Sequence, residues 1–222
     1  MLEKVEHKTL CQIKDLGFID YPLAYHIQEQ TVREVIEGGV STLLICEHPP
    51  IFTLGRLATE DNILLPKSEI ENKEIKILRI NRGGEITFHG PGQLVIYPIL
   101  QLKHLGKDLK FYMDQLEQVA IDLLERFDIV ANRIPGERGV WVKTKKIASI
   151  GIGVRKWVSF HGMAINVNTE LRYFSMIKPC GLDVKMTSMA EIKGRTIDLN
   201  LVKEEVIKSF VKNFGLDLMR RN

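Results

Sequence analysis

Three kinds of side chain in this chain have the setting for chemistry: a thiol, an amine and a pair of imidazoles. Cys180 stands in Lys178-Pro-Cys-Gly181. Proline and glycine on either side place it in a tight, non-helical turn, whereas a core cysteine has apolar neighbours. It is either a nucleophile or an incidental loop cysteine. A free thiol, with a pKa of about 8.5, is only a few per cent thiolate at neutral pH, so a nucleophile here needs a cation or a base beside it. Lys146 is a candidate for that partner. It opens Lys146-Ile-Ala-Ser-Ile-Gly-Ile-Gly-Val154, a buried-looking strand that begins with a charge. Spacing alone favours a solvated lysine at a strand edge, as it does for Lys143 and Lys145; a lysine pointing into a cleft can instead serve as a base.

His89 and His161 share a local form, Phe88-His-Gly90 and Phe160-His-Gly162. Two histidines at glycine-flanked strand ends suggest one pocket wall, with His48, beside two prolines, a weaker third member. Metal ligation wants a third ligand at a recognisable spacing, and none is evident. Arg82 either pairs with a carboxylate or phosphate or braces a loop. It opens Arg82-Gly-Gly-Glu-Ile-Thr-Phe-His-Gly-Pro-Gly-Gln93, where four glycines exceed what a turn requires. Glycine permits close approach to the backbone, which suits a ligand cradle.

The elements that must hold these groups read as follows. Leu10–Phe18 looks like a strand; Asp20 caps a helix from Tyr21 to Glu37, with Pro22 in its first turn and Gly38-Gly39 ending it. Thr42–Glu47 is a short buried strand, and the segment from His48 to Arg56 starts with prolines and continues extended. Residues 57–74 are polar and irregular, with a helical turn near Lys67. Strands Ile75–Ile80 and Gln93–Tyr97 flank the glycine-rich segment, which is read as their connection. The clearest helix, Asp108–Phe127, carries Tyr112, Leu116, Val119, Ala120 and Leu123 at helical spacing. Strand-like runs follow at Gly139–Val142, Lys146–Val154 and Trp157–Asn168, and a last helix runs from Leu201 to Phe214 before Gly215. Without a steady βαβ rhythm this is an α+β domain on a mixed sheet with flanking helices, one domain over residues 1–222.

Composition bounds the class. At 45% hydrophobic and 27% charged, the chain reads as a soluble protein. It has no apolar run of membrane-spanning length, and its start lacks a secretory signal, so a cytoplasmic location is expected. Three cysteines without CxxC spacing argue against a disulfide framework or a zinc knuckle; Cys46 reads as a buried thiol. The net charge is +3, yet Arg133 to Lys156 hold seven basic residues against Glu137. This is either a solvated face or a docking patch for an acidic partner; no nucleic-acid reading motif accompanies it.

Read together, five blocks in order resemble the lipoyl(octanoyl) transferases of lipoate biosynthesis. They are Glu47-His-Pro-Pro-Ile-Phe-Thr-Leu-Gly-Arg56, Arg82 through Pro98, Lys146-Ile-Ala-Ser-Ile-Gly151, Ser159-Phe-His-Gly-Met-Ala-Ile-Asn-Val167, and Pro179-Cys-Gly181 with Thr187-Ser188. The resemblance implies a fold shared with biotin and lipoate protein ligases. It implies that Cys180 is the acyl-thioester nucleophile and Lys146 the lysine that tunes it. It implies an acyl pocket lined by Arg82, Gly83, Gly84, Glu85, Ile86, Thr87, Phe88, His89, Ser149, Ile150, Gly151, His161, Gly162 and Met163. Two residues depart from the family pattern: Phe88 stands where tyrosine is usual, and Lys178 where asparagine is common.

The activity so implied moves octanoyl from octanoyl-acyl-carrier protein to the acceptor lysine of a lipoyl domain. The acceptors would be lipoyl domains of 2-oxoacid dehydrogenase complexes and the glycine cleavage H protein. No metal, nucleotide, nucleic acid or membrane is required. The alternative is an ATP-dependent lipoate or octanoate protein ligase, which shares the Arg-Gly-Gly and His-Gly pattern but needs no cysteine; a silent binding module ranks below both.

Overall fold

A computed structural model of the chain describes residues 9–178 and 184–219. In chain order the elements are β1 (Thr9–Phe18), α1 (Tyr21–Ile36), β2 (Ser41–Glu47), β3 (Ile51–Leu54), α2 (Lys67–Asn72), β4 (Lys76–Arg79), β5 (Ile86–His89), β6 (Gln93–Ile99), α3 (Leu109–Glu125), β7 (Asn132–Ile134), β8 (Glu137–Val142), β9 (Lys145–Arg155), β10 (Val158–Asn166), α4 (Met189–Lys193), α5 (Leu199–Phe214) and β11 (Leu216–Leu218). Short 3₁₀ turns punctuate them, among them Leu171–Met176.

Eight strands form one mixed sheet in the order β11-β1-β2-β6-β10-β9-β8-β7. β1 lies parallel to β2 and β11; from β2 to β7 neighbouring strands run antiparallel. The central strands β6 and β10 are buried along their whole length, as expected for strands covered on both faces. Helices α3 and α5 pack on one face around Leu116, Val119, Leu123, Val206 and Phe210. On the other face α1 packs over Leu44, Val95 and Tyr97. A second sheet, β4-β3-β5, has its own core of Phe52, Ile70, Phe88 and Phe174, and Ile51 and Leu78 join it to the α1 cluster. The mixed α+β architecture expected from the pattern is present, and no helix of the described residues is long and apolar enough to cross a membrane.

Two local readings are corrected. The glycine-rich segment is not a hairpin connection: β5 lies inside it and pairs with β3, while β6 belongs to the large sheet. The segment therefore carries the chain from one sheet to the other, and the space between the sheets opens along it. At α1, Asp20 occupies the N-cap position but makes no capping bond; its carboxylate accepts from Lys76 Nζ at 3.3 Å. Asp108 does cap α3, accepting from the Phe111 amide at 2.9 Å. Cys46 is buried as expected, and so is Cys11, despite its polar neighbours in sequence.

Candidate active site

Between the two sheets lies a narrow cleft with a cavity volume of about 70 Å³. One wall is the glycine-rich strand and loop: Arg82, Gly84, Glu85, Ile86, Thr87 and His89. The opposite wall is β9 and β10: Lys146, Ser149, Ile150, Gly151, His161, Gly162 and Met163. All of these were expected from the sequence. Two expected residues are not in the lining. Alternation along β5 sends Thr87 and His89 to the cleft and Phe88 to the far side, where its ring stacks on Tyr173 at 4.6 Å. Gly83 sits behind the wall and bridges it to β9, its amide donating to Ile152 O at 2.8 Å.

Lys146 reaches the cleft because of an irregularity in register. Trp141 pairs with Lys146, but Val140 pairs with Ala148, so one extra residue is inserted in β9. Ile147 and Ala148 both enter the core, and the slip puts Lys146 on the same side as Ser149. Lys146 is 4% exposed, whereas its neighbour Lys145 keeps 44% of its side chain in solvent and pairs with Glu191. The Lys146 ammonium lies 5.3 Å from the centre of the Trp141 ring.

Arg82 braces the loop. Its guanidinium donates to Thr53 O at 2.6 Å, to Thr53 Oγ1 at 3.0 Å and to Gly83 O at 3.0 Å. The loop closes on Gly55, where a Cβ would fall 2.3 Å from Gly84 O and 2.8 Å from Arg82 Nη1. Only glycine lets the end of β3 lie against the cradle.

The histidines are held neutral. His48 Nδ1 donates to Ile19 O at 2.7 Å, which leaves Nε2 to accept from the Tyr97 hydroxyl at 2.8 Å. His89 Nδ1 donates to Gln93 Oε1 at 2.7 Å, while the Gln93 amide donates to Phe88 O and Asn166 Oδ1. His161 adopts a left-handed backbone with φ 54°, its amide turned to Gln28 Oε1 at 2.9 Å and Nε2 2.7 Å from Asn81 Oδ1. Burial lowers His48 from its ordinary 6.5 to about 4, and His89 and His161 to about 3. Folding therefore excludes protons that the unfolded imidazoles bind below 6.5. The stabilisation is complete above that pH and is lost as pH falls toward 4 and 3. Denaturant unfolding at pH 5.5 should take up two to three protons, about 1.4 kcal/mol per pH unit for each. A slope below one proton would contradict neutral, buried imidazoles.

Residues 179–183, Cys180 among them, lie outside the described residues. The chain bordering them is bonded to the cleft. On one side the Lys178 amide donates to Asn62 O at 2.8 Å, and Asn62 Nδ2 donates to Glu85 Oε2 at 3.2 Å. On the other, the Lys146 amide donates to Lys185 O at 2.8 Å and the Thr187 amide to Lys146 O at 2.9 Å.

Residues 20–211 match the family model described as the lipoyl protein ligase A/B catalytic domain. An octanoyltransferase of Geobacter sp. (strain M21) is 43% identical over 208 residues, 93% of this chain and 98% of that protein. This chain belongs to the octanoyltransferase family. Its fold also matches lipoate-protein ligase A bound with ATP, with a TM-score of 0.78 at 13% identity over 96% of this chain and 88% of that one. Biotin protein ligase from Aquifex aeolicus in complex with biotin and ATP follows at a TM-score of 0.55 and 19% identity, over 94% and 71% of the two chains. At such identities these two speak for the fold alone.

The octanoyltransferase cleft has four lining residues that sequence reasoning did not find: Tyr21, Val95, Tyr97 and Ala164. Tyr21 opens a helix and the others sit in fully buried strands beside apolar neighbours, so their pattern is that of core. The hydroxyl of Tyr21 lies 3.5 Å from His161 Nδ1, giving the floor a polar underside. Among the described residues no three His, Cys, Asp or Glu side chains converge as metal ligands.

The basic patch largely dissolves. Arg133 and Arg138 pair with Glu117 and Asp114, Lys145 with Glu191 and Arg155 with Glu29, and Lys146 is buried. Among the described residues Lys143 and Lys156 remain without an ion pair, beyond opposite ends of the eleven-residue β9. A count along the chain could not see acids supplied by α1, α3 and α4.

Proposed function

We propose that this enzyme moves an octanoyl group from the thioester of acyl-carrier protein to the ε-amine of a lipoyl-domain lysine, through a thioester on Cys180. The buried amine of Lys146 carries this reading: it stands in the cleft, and its own backbone is bonded to Lys185 and Thr187, which follow Cys180 in the chain. The family relationship supports the same reaction.

In the first half-reaction Lys146 takes the Cys180 proton and the sulfur attacks the acyl carbonyl carbon. The carbon–sulfur bond of the donor breaks, and the departing pantetheine thiolate takes the proton back from Lys146. In the second, a lipoyl-domain amine arrives protonated, since a free lysine has a pKa of about 10.4. Lys146, neutral by then, removes that proton. The amine attacks the thioester and passes its second proton to the departing sulfur, so Cys180 leaves as a thiol, and Lys146 releases the proton it took to solvent before the next cycle. The neutral histidines add no competing cation to the acyl cleft. Acceptors of this kind are the lipoyl domains of 2-oxoacid dehydrogenases and the glycine cleavage H protein, met in the cytoplasm.

Transfer should proceed from octanoyl-acyl-carrier protein to an isolated lipoyl domain without ATP or magnesium, read by the mass of the domain. Octanoylation only from free octanoate with ATP and magnesium would replace this reading by a ligase. Of the basic residues, Lys143 stands beyond the Lys146 end of β9 and, among the described residues, has no ion pair. Lys143→Glu should raise KM for the acidic carrier two- to fivefold at low salt with little change in kcat, an effect that 0.5 M salt erases. A KM that moves with neither charge nor salt would remove Lys143 from the docking surface.

A further inference from the structure

Resting on the reading of Lys146 as the base, we propose that Gly139 and Glu117 form the device that positions its side chain. Helix α3 buries a carboxylate on its apolar face: Glu117 is 2% exposed. A buried carboxylate is costly unless fully partnered. Here Oε2 lies 3.0 Å from Arg133 Nε, and Oε1 lies 3.6 Å from Arg138 Nη1 while accepting from the Gly139 amide at 3.0 Å. Those bonds fix the start of β8 against α3.

What they fix is a glycine with φ 119°, a backbone that side-chain-bearing residues rarely adopt. A Cβ on Gly139 would fall 2.4 Å from Lys146 Cε, 3.2 Å from Nζ and 2.5 Å from Ala148 O. The missing side chain is the space through which the Lys146 stem runs. The Trp141 ring, two residues along the same strand, lies 5.3 Å from the Lys146 ammonium. β8 thus shapes the channel with an absent side chain and a large ring, and Glu117 sets its depth. Glu117 and Gly139 touch no acyl group; they act through Lys146.

The test compares Gly139→Ala, Glu117→Met and Glu117→Gln with the parent enzyme, using octanoyl-acyl-carrier protein as donor and a lipoyl domain as acceptor. Folding is checked by circular dichroism and melting. Gly139→Ala should lower kcat at least thirtyfold with donor KM within twofold. Glu117→Met, which removes the acceptor for the Gly139 amide, should lower kcat about tenfold, and Glu117→Gln, which keeps it, should recover most of that loss. If Gly139→Ala does not fold, the Glu117 pair decides alone. Parent-level kcat in folded Gly139→Ala or Glu117→Met overturns the inference, as does Glu117→Gln falling as far as Glu117→Met. A fully active Lys146→Ala would instead overturn the base assignment itself, which separates the two failures.

Discussion

Cys180→Ala should lose octanoyl transfer by at least about 10⁴-fold, the scale at which removal of a covalent nucleophile is felt. The loss falls on chemistry and not on encounter. Among the described residues the cleft walls are held by bonds of their own, so the variant should still bind octanoyl-acyl-carrier protein with a Kd within a few-fold of the parent. Turnover within tenfold of the parent would mean that the lipoyl-domain amine attacks the donor thioester directly. Lys146 would then be an orienting group for a single displacement.

Lys146→Met should lower both half-reactions by 10²–10⁴-fold, the usual contribution of a positioned acid–base group. Rapid quench separates them: formation of acyl-enzyme, then its decay on adding lipoyl domain. The pH dependence distinguishes a lost base from a damaged site. Without Lys146 the acylation rate should rise about tenfold per pH unit up to the ordinary thiol range near 8.5, because hydroxide then supplies the thiolate. A flat profile between pH 6.5 and 8.5 would point to collapse of the cleft. Methionine keeps the stem that fills the space over Gly139, so such collapse is not expected.

Much of this architecture is written in local pattern. The apolar stripe of α3, the Asp108 cap and the glycine after α5 set element ends that the fold keeps within a few residues. What escaped depends on partners distant in the chain. β5 has four residues between glycines and earns its strand only by pairing with β3, more than thirty residues earlier. Asp20 has capping chemistry, yet Lys76 competes for its carboxylate. Glu117 looks like a solvated helix residue until Arg133, Arg138 and the Gly139 amide close on it.

The candidate site was legible in the same uneven way. The glycine-rich loop and the two His-Gly steps announce themselves by composition, and the walls of the cleft are largely theirs. Lys146 cannot be told from Lys143 or Lys145 by residue type. An inserted residue in β9 turns it inward, and pattern reading has no signal for that register slip. Tyr97 reads as core in a strand of apolar residues, and it is nearly so; its hydroxyl is committed to His48 beneath the cleft.

One covalent species separates the proposed reaction from its rivals. Intact-mass spectrometry of the enzyme mixed with octanoyl-acyl-carrier protein, with no nucleotide present, should show a single octanoyl increment. Peptide mapping should place it on Cys180, hydroxylamine should remove it, and added lipoyl domain should discharge it. An enzyme that stays unmodified while the lipoyl domain becomes octanoylated, or one acylated at another residue, would contradict the account.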